Sequence, residues 1–173
     1  MTKSATEVFR ADEQDAAGIA RVHGLARAKA YAETDLVSRG AEPTAAERTA
    51  LWRDLLAGDQ ETAFTLVAEL RGQAVGFCSV ATTARDADLG PHTGEIAALY
   101  IEPARWRQGI GGALVTRAQQ ELRDAGCRAV TLWVLAENAP ATTFYARHGF
   151  APDGMGGPDP KTGRPKARLA ASL

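Results

Sequence analysis

Apolar residues first recur at helical spacing. Ala16, Ile19, Val22, Ala26 and Ala30 lie three to four apart, and Asp12 and Asp15 stand where an N-cap and its N3 partner belong. This predicts a helix. A polar connection, Asp35 to Pro43, follows. Thr44-Ala45-Ala46-Glu47 then has the form of a capping box, opening a second helix with Leu51, Trp52, Leu55 and Leu56 on one side and Gly58 as its stop.

After Gly58 the period changes. Phe64–Leu70 and Val75–Ala81 are strand-like and joined by a tight turn at Arg71-Gly72-Gln73, which predicts a hairpin. A loop with Asp86, Asp88, Gly90 and Pro91 leads to another strand, Glu95–Ile101. The glycine-rich stretch Gly109-Ile110-Gly111-Gly112 runs into a helix whose Ile110, Leu114, Ala118 and Leu122 form one apolar stripe. Gln119, Gln120, Arg123 and Asp124 face away from it, and Gly126 suits the position just past its end. Val130–Leu135 reads as a strand, and Asn138-Ala139-Pro140 opens a short helix that Gly149 ends. Phe150 begins a further strand, a stretch rich in Gly and Pro runs from Gly154 to Pro165, and Lys166–Leu173 reads as a weak strand. The order αα, ββ, β, α, β, α, β, β predicts a mixed α/β sheet.

With 173 residues, 45% hydrophobic and 24% charged, the chain is expected to form one domain over 1–173. Its longest apolar run, Ile96–Ile101, has six residues, against the roughly 18 a membrane helix needs. Met1–Asp12 mixes Lys3, Glu7 and Arg10 with polar residues and has no apolar h-region, so no signal peptide and a cytoplasmic location are expected. A net charge of −1 argues against a strongly basic nucleic-acid binder. The charge is uneven: residues 1–90 carry 10 basic and 14 acidic groups, residues 91–173 carry 10 and 7. The net +3 of the second half suits a small anionic ligand, and equally fits chance scatter over a solvated surface. Cys78 and Cys127 have no metal spacing, and Cys78 reads as a small core residue. His23, His92 and His148 stand alone, so no metal site is expected.

The chemistry concentrates in Glu95–Leu114, where a strand delivers the chain to a glycine-rich turn at a helix start. The first N–H groups of a helix lack internal partners, and glycine lets phosphate oxygens approach them. Arg105 and Arg107 add positive charge, so the segment suits a pyrophosphate. The P-loop pattern is absent, and the third glycine of a dinucleotide fingerprint is replaced by Leu114. A plain strand-to-helix turn stays open as the alternative.

"EIAALYIEPARWRQGIGGAL" resembles the fourth strand, pyrophosphate loop and third helix of the GNAT superfamily of acyl-CoA-dependent N-acetyltransferases. "LWVLAENAPATTFYARHGF" (Leu132–Phe150), about 30 residues on, resembles that family's fifth strand and following helix. The resemblance covers about 65–173 well and the N-terminal helices loosely. One departure stands at Trp106, where the family usually has Gln or Arg; Arg105 or Arg107 is the candidate replacement.

The resemblance implies a single mixed, mostly antiparallel sheet of about six to seven strands with helices on both faces, strands four and five splaying apart around the pantetheine arm. It implies acetyl-CoA as cosubstrate, no metal, and an amine acceptor of unread identity, with no nucleic acid and no membrane as partners; dimers are common in the family. Leu99 and Ile101, with Tyr100 between them, would offer main-chain groups to the arm, and Arg107, Gln108, Gly109, Ile110, Gly111 and Gly112 would hold the pyrophosphate. Asn138 would reach the pantetheine, be an ordinary N-cap, or both. Tyr145 matches the family's general acid, with a packed tyrosine as the alternative. Glu95 matches an acid–base glutamate that relays the amine proton through water, with an exposed strand-edge carboxylate as the alternative. His92 is a weaker candidate base, His148 reads as structural with its imidazolium favoured by a helix C-terminus, and Trp52 and Trp133 read as core or pocket wall. The acceptor pocket would be shaped by roughly Ala16–Gly58 and by a loop at Asp153–Pro165. The reaction implied is acetyl transfer to a primary amine by direct attack, with a non-catalytic acyl-CoA-binding module as the alternative.

Overall fold

Seven strands and four α-helices alternate along the chain in the computed structural model, which describes residues 6–32, 42–160 and 162–173. The strands are β1 (Glu7–Arg10), β2 (Ala63–Leu70), β3 (Gln73–Ala81), β4 (Thr93–Ile101), β5 (Ala129–Leu135), β6 (Ala151–Pro158) and β7 (Pro165–Ser172). The helices are α1 (Ala16–Ala32), α2 (Ala45–Leu56), α3 (Ile110–Asp124) and α4 (Ala139–Ala146). The strands form one mixed sheet in the order β1-β2-β3-β4-β5-β7-β6. Two compact units divide the chain: Met1–Ser79 with Ala98–Leu114, and Val80–Ala97 with Val115–Leu173.

In the first unit, both expected caps form. Asp12 and Asp15 make a capping box on a short 3₁₀ turn that leads into α1, and Thr44 and Glu47 make one at the start of α2. The β2–β3 hairpin turns on Arg71 and Gly72, both with positive φ, the pairing that matches strand twist in a two-residue turn. Helix faces bury Ile19, Val22, Trp52 and Leu56 against Val67 and Phe77. Trp52 and Leu56 face that core, but Leu51 and Leu55 are exposed, so the apolar side of α2 is narrower than its sequence predicts. The structure also adds β1, paired antiparallel with β2. Four residues with only Val8 and Phe9 apolar carry too little pattern to be seen without that partner. Of the expected Asp35–Pro43 connection, residues 35–41 lie outside the described residues.

Gly76 decides how the start of α3 sits on β3. A methyl there would stand 2.7 Å from Ile101 Cδ1 and 3.2 Å from both Ile110 and Leu114, so a larger residue would require these side chains to shift.

In the second unit, β4 and β5 run parallel through three register pairs, Thr93↔Ala129, Gly94↔Val130 and Glu95↔Thr131. That ladder ends at Glu95, while β4 runs on to Ile101 and β5 to Leu135. From Ala97 onward no β4 residue is fully buried, although β4 is central in the strand order. β5 pairs antiparallel with β7 along its whole length, and β7 with β6. Val130, Leu132 and Val134 bury one face of β5. The Gly- and Pro-rich stretch corrects the expected loop: β6 continues through Gly154 to Pro158, with an irregular register between Pro152 and Gly156, so the β6–β7 connection is confined to 159–164. Backbone pairing with β7 overrides the weak local preference of these residues. Cys78 and Cys127 are both buried free thiols; burial pushes Cys78 up to about 12.

Candidate active site

The loop between β4 and α3 lies in the first unit. Pro103–Arg105 form a 3₁₀ turn, after which Arg107 (φ 62°) and Gly109 (φ 86°) both take left-handed backbone. Gly109 does so without strain; Arg107 carries a Cβ into a region that L-residues seldom occupy. Gly109 then accepts the first helical bond of α3, from Ala113 N–H at 3.0 Å. Among the described residues, no main-chain carbonyl meets the N–H groups of Ile110, Gly111 and Gly112. They open a helix of 15 residues with no acidic side chain in its first turn, the arrangement that attracts an anion.

The side chains of this loop tie it to itself. Trp106 donates its indole N–H to the Ile101 carbonyl at 3.0 Å while the residue stays 47% exposed, and Gln108 donates to the Ala104 carbonyl. The Ile101 oxygen, expected to be offered to a ligand, thus already serves Trp106. Tyr100, by contrast, faces the aromatic group of Trp52, Phe77 and His23, where Trp52 Nε1 donates to His23 Nδ1 at 3.3 Å. Leu99 is half-buried on β4.

The second unit holds Glu95, Asn138 and Tyr145. Glu95 is not the exposed strand-edge carboxylate considered above: its side chain is 6% exposed. Both oxygens accept from Arg85, through backbone N–H at 3.1 Å, Nε at 3.1 and 3.2 Å, and Nη2 at 2.6 Å. The Glu95 hydrogen bonds raise the Arg85 pKa above its ordinary value. Asn138 caps α4, its side-chain oxygen accepting from Ala141 N–H at 3.1 Å, and the residue is exposed. Tyr145 is half-buried, its ring edge-on to Phe144 and Phe150. His148 lies against Phe144, and burial pushes its pKa down, opposite to the expected effect of the helix end. His92 is exposed and contributes its carbonyl to Arg128 and Ala129 N–H groups.

Sequence reasoning missed a charged cluster of this unit. Arg168, 3% exposed, binds Asp86, Asp88 and Asp153. Hydrogen bonds that it donates to Asp88 first, and also to Asp153 and Asp86, raise its pKa. Trp133 donates to the same Asp86 oxygen at 2.9 Å, with Lys166 Nζ 4.2 Å above its ring. The one signal in the sequence was an arginine inside the alternating segment Ala167, Leu169, Ala171; its register partner, Trp133, sets the face it takes. Gln119, expected to face away, instead reaches the His148 carbonyl at 3.0 Å.

The model of the Acetyltransferase (GNAT) family matches residues 20–150, most of the chain. The chain belongs to that family. A mycothiol acetyltransferase of Sanguibacter keddieii is 33% identical over 151 residues, covering 82% of this chain and 42% of that protein. One of Cellulomonas flavigena is 38% identical over 118 residues, covering 62% of this chain and 34% of that protein. This GNAT chain therefore spans less than half the length of these relatives. A putative acetyltransferase from Salmonella typhimurium, solved with acetyl-CoA, shares the fold at TM-score 0.70 and 22% identity, covering 98% of this chain and 94% of that one.

Proposed function

We propose that this GNAT chain transfers acetyl from acetyl-CoA to a primary amine by direct attack. The observation that carries the reading is the start of α3: unpaired N–H groups at Ile110, Gly111 and Gly112 behind a left-handed Gly109, in a chain that the family model matches over 20–150. Those groups, with Arg107 and Gln108, would hold the pyrophosphate. The main chain at Leu99, Tyr100 and Ile101 would receive the pantetheine arm.

The amine nitrogen attacks the thioester carbon once it has lost a proton, the C–S bond breaks, and the nitrogen gives up a second proton while the departing thiolate takes one. A primary ammonium has a pKa near 10, so the first proton needs a base; Glu95 would take it through water. Tyr145 would donate the thiolate's proton from its hydroxyl. The acceptor is proposed as a class, a primary amine; the name of the Sanguibacter relative supports acetyl transfer in this lineage. Among the described residues no helix is long and apolar enough to cross a membrane.

Calorimetric titration with acetyl-CoA, followed by a thiol-release assay over a panel of amines, tests the reading. Binding with amine-dependent release of CoA thiol is expected. Tight binding with no turnover on any amine would make the chain an acyl-CoA-binding module instead.

A further inference from the structure

The second unit contains two arginines bound to carboxylates, and they are built differently. Arg168 is 3% exposed and holds Asp86, Asp88 and Asp153. It is a strut shared by three carboxylates. Arg85 is 75% exposed, yet the carboxylate it serves is 6% exposed. The buried partner is therefore Glu95, and the cation that neutralises it reaches in from solvent.

The Arg85 guanidinium is not what holds its loop in place. Ala84 N–H donates to the Thr93 carbonyl at 2.7 Å, Cys127 Sγ donates to the Thr82 carbonyl, and Asp86 and Asp88 are gripped by Arg168. The Arg85 backbone N–H bonds Glu95 Oε2 independently of the side chain. If the guanidinium swung out, the loop would keep all of these bonds and Glu95 would keep one donor. It would lose its counter-ion, which is costly for a buried carboxylate. Among the described residues Arg85 is the only cation paired with Glu95. The facing groups cannot substitute: Thr131, the register partner on β5, is uncharged and turns its hydroxyl to the Gly94 carbonyl. The nearby Asp86 carries the wrong charge and is committed to Trp133 and Arg168.

We propose that Arg85 is a displaceable counter-ion, and that the acceptor arrives as an ammonium ion which takes the guanidinium's place against Glu95. This deepens the function proposed above and rests on it, with direct contact between the ammonium and Glu95 in place of the water relay. One cation replaces another, so the buried carboxylate is never left uncompensated, and an ammonium has the N–H donors that the two Glu95 oxygens demand. A neutral acceptor offers no such exchange. The site thereby prefers a cationic amine before the proton is removed, and Arg85 acts as a positioning residue for Glu95 in the amine-free protein.

The test uses the full chain and ethylammonium chloride as probe, with thermal unfolding as readout. Arg85→Ala should lower the Tm, and saturating ethylammonium should restore about 3 °C beyond what potassium chloride of equal ionic strength restores. Wild type should show a smaller specific shift than Arg85→Ala, because the ammonium must first displace the protein's own guanidinium. Arg85→Lys should not respond, since it brings its own ammonium. Arg85→Ala combined with Glu95→Gln should not respond, since the carboxylate is gone. Arg85→Gln serves as the responding variant should Arg85→Ala fold poorly. Rescue no greater than that of potassium chloride in both variants would overturn the proposal. Thiol release by Glu95→Gln separates the two ideas. If it is inactive while rescue fails, the exchange is wrong and the catalytic role of Glu95 stands. If it is fully active while rescue succeeds, the ammonium site stands without that role.

Discussion

The loop at Trp106–Gly112 and the charged face around Arg168 use polar groups in opposite ways. In the loop, main-chain donors at Ile110, Gly111 and Gly112 are left without carbonyl partners, while its side chains bond carbonyls only four or five residues away. Around Arg168 one guanidinium is shared by three carboxylates, and the partners come from 80 and 82 residues away as well as from 15. An unsatisfied donor at a helix start invites an anion at little structural cost, because solvent can stand in when the ligand is away. A buried guanidinium cannot be left alone in that manner. The first arrangement is suited to binding and the second to holding a loop on a sheet, with Arg85 and Glu95 standing between the two cases: one partner buried, the other exposed.

Removing the strut should give the largest effect. Arg168→Met removes the cation that Asp153, Asp86 and Asp88 share and should cost about 1–3 kcal/mol in urea unfolding, the scale of hydrogen bonds to charged groups. A loss below about 1 kcal/mol would put the cluster in the class of solvated surface pairs and dissolve the contrast drawn here.

Tyr145 asks whether the second unit does chemistry as well as packing. Tyr145→Phe keeps the ring against Phe144 and Phe150 and deletes the hydroxyl. If that hydroxyl protonates the leaving thiolate, kcat should fall about 10²-fold, the lower end for a general acid because a CoA thiolate already leaves fairly well. Turnover within about twofold of wild type, or a rise only in KM for acetyl-CoA, would make Tyr145 a packing or binding residue.

The loop should behave in the reverse manner, losing ligand and keeping its fold. Gly111→Asp puts a carboxylate in the first turn of α3, which should weaken CoA by about tenfold or more in calorimetry. Thermal stability should hold or rise slightly, since an acidic residue there favours the helix by about 0.3–1 kcal/mol. Unchanged CoA affinity in the folded variant would remove the phosphate assignment. The smallest effect is expected from Arg107→Gly. Relief of the left-handed backbone at φ 62° should stabilise by about 0.5–1 kcal/mol after glycine's own entropy cost. CoA affinity should drop only a few-fold, because the main chain does most of the binding. A stability loss would mean that the Arg107 side chain supports the loop in some further way.

Local pattern determined a good part of this protein. The capping boxes at Asp12 and Thr44, the hairpin at Arg71-Gly72, the buried stripe of α3 and the glycine turn before it are all settled by residues within a few positions of one another. Their physics, a capped helix end, a left-handed turn, a 3.6-residue period, acts over that same range. Tertiary structure decided the rest. β1 exists because β2 offers it an edge, and β6 runs through three glycines because β7 pairs with it. Leu51 and Leu55 stay exposed because only part of the apolar side of α2 meets the core. Glu95 was visible as a carboxylate at the head of a strand; that it is buried, and bound by an exposed arginine ten residues earlier, was not. Charge pairing and burial depend on which distant segments fold against one another, and that information resides in the sheet order rather than in any window of the sequence.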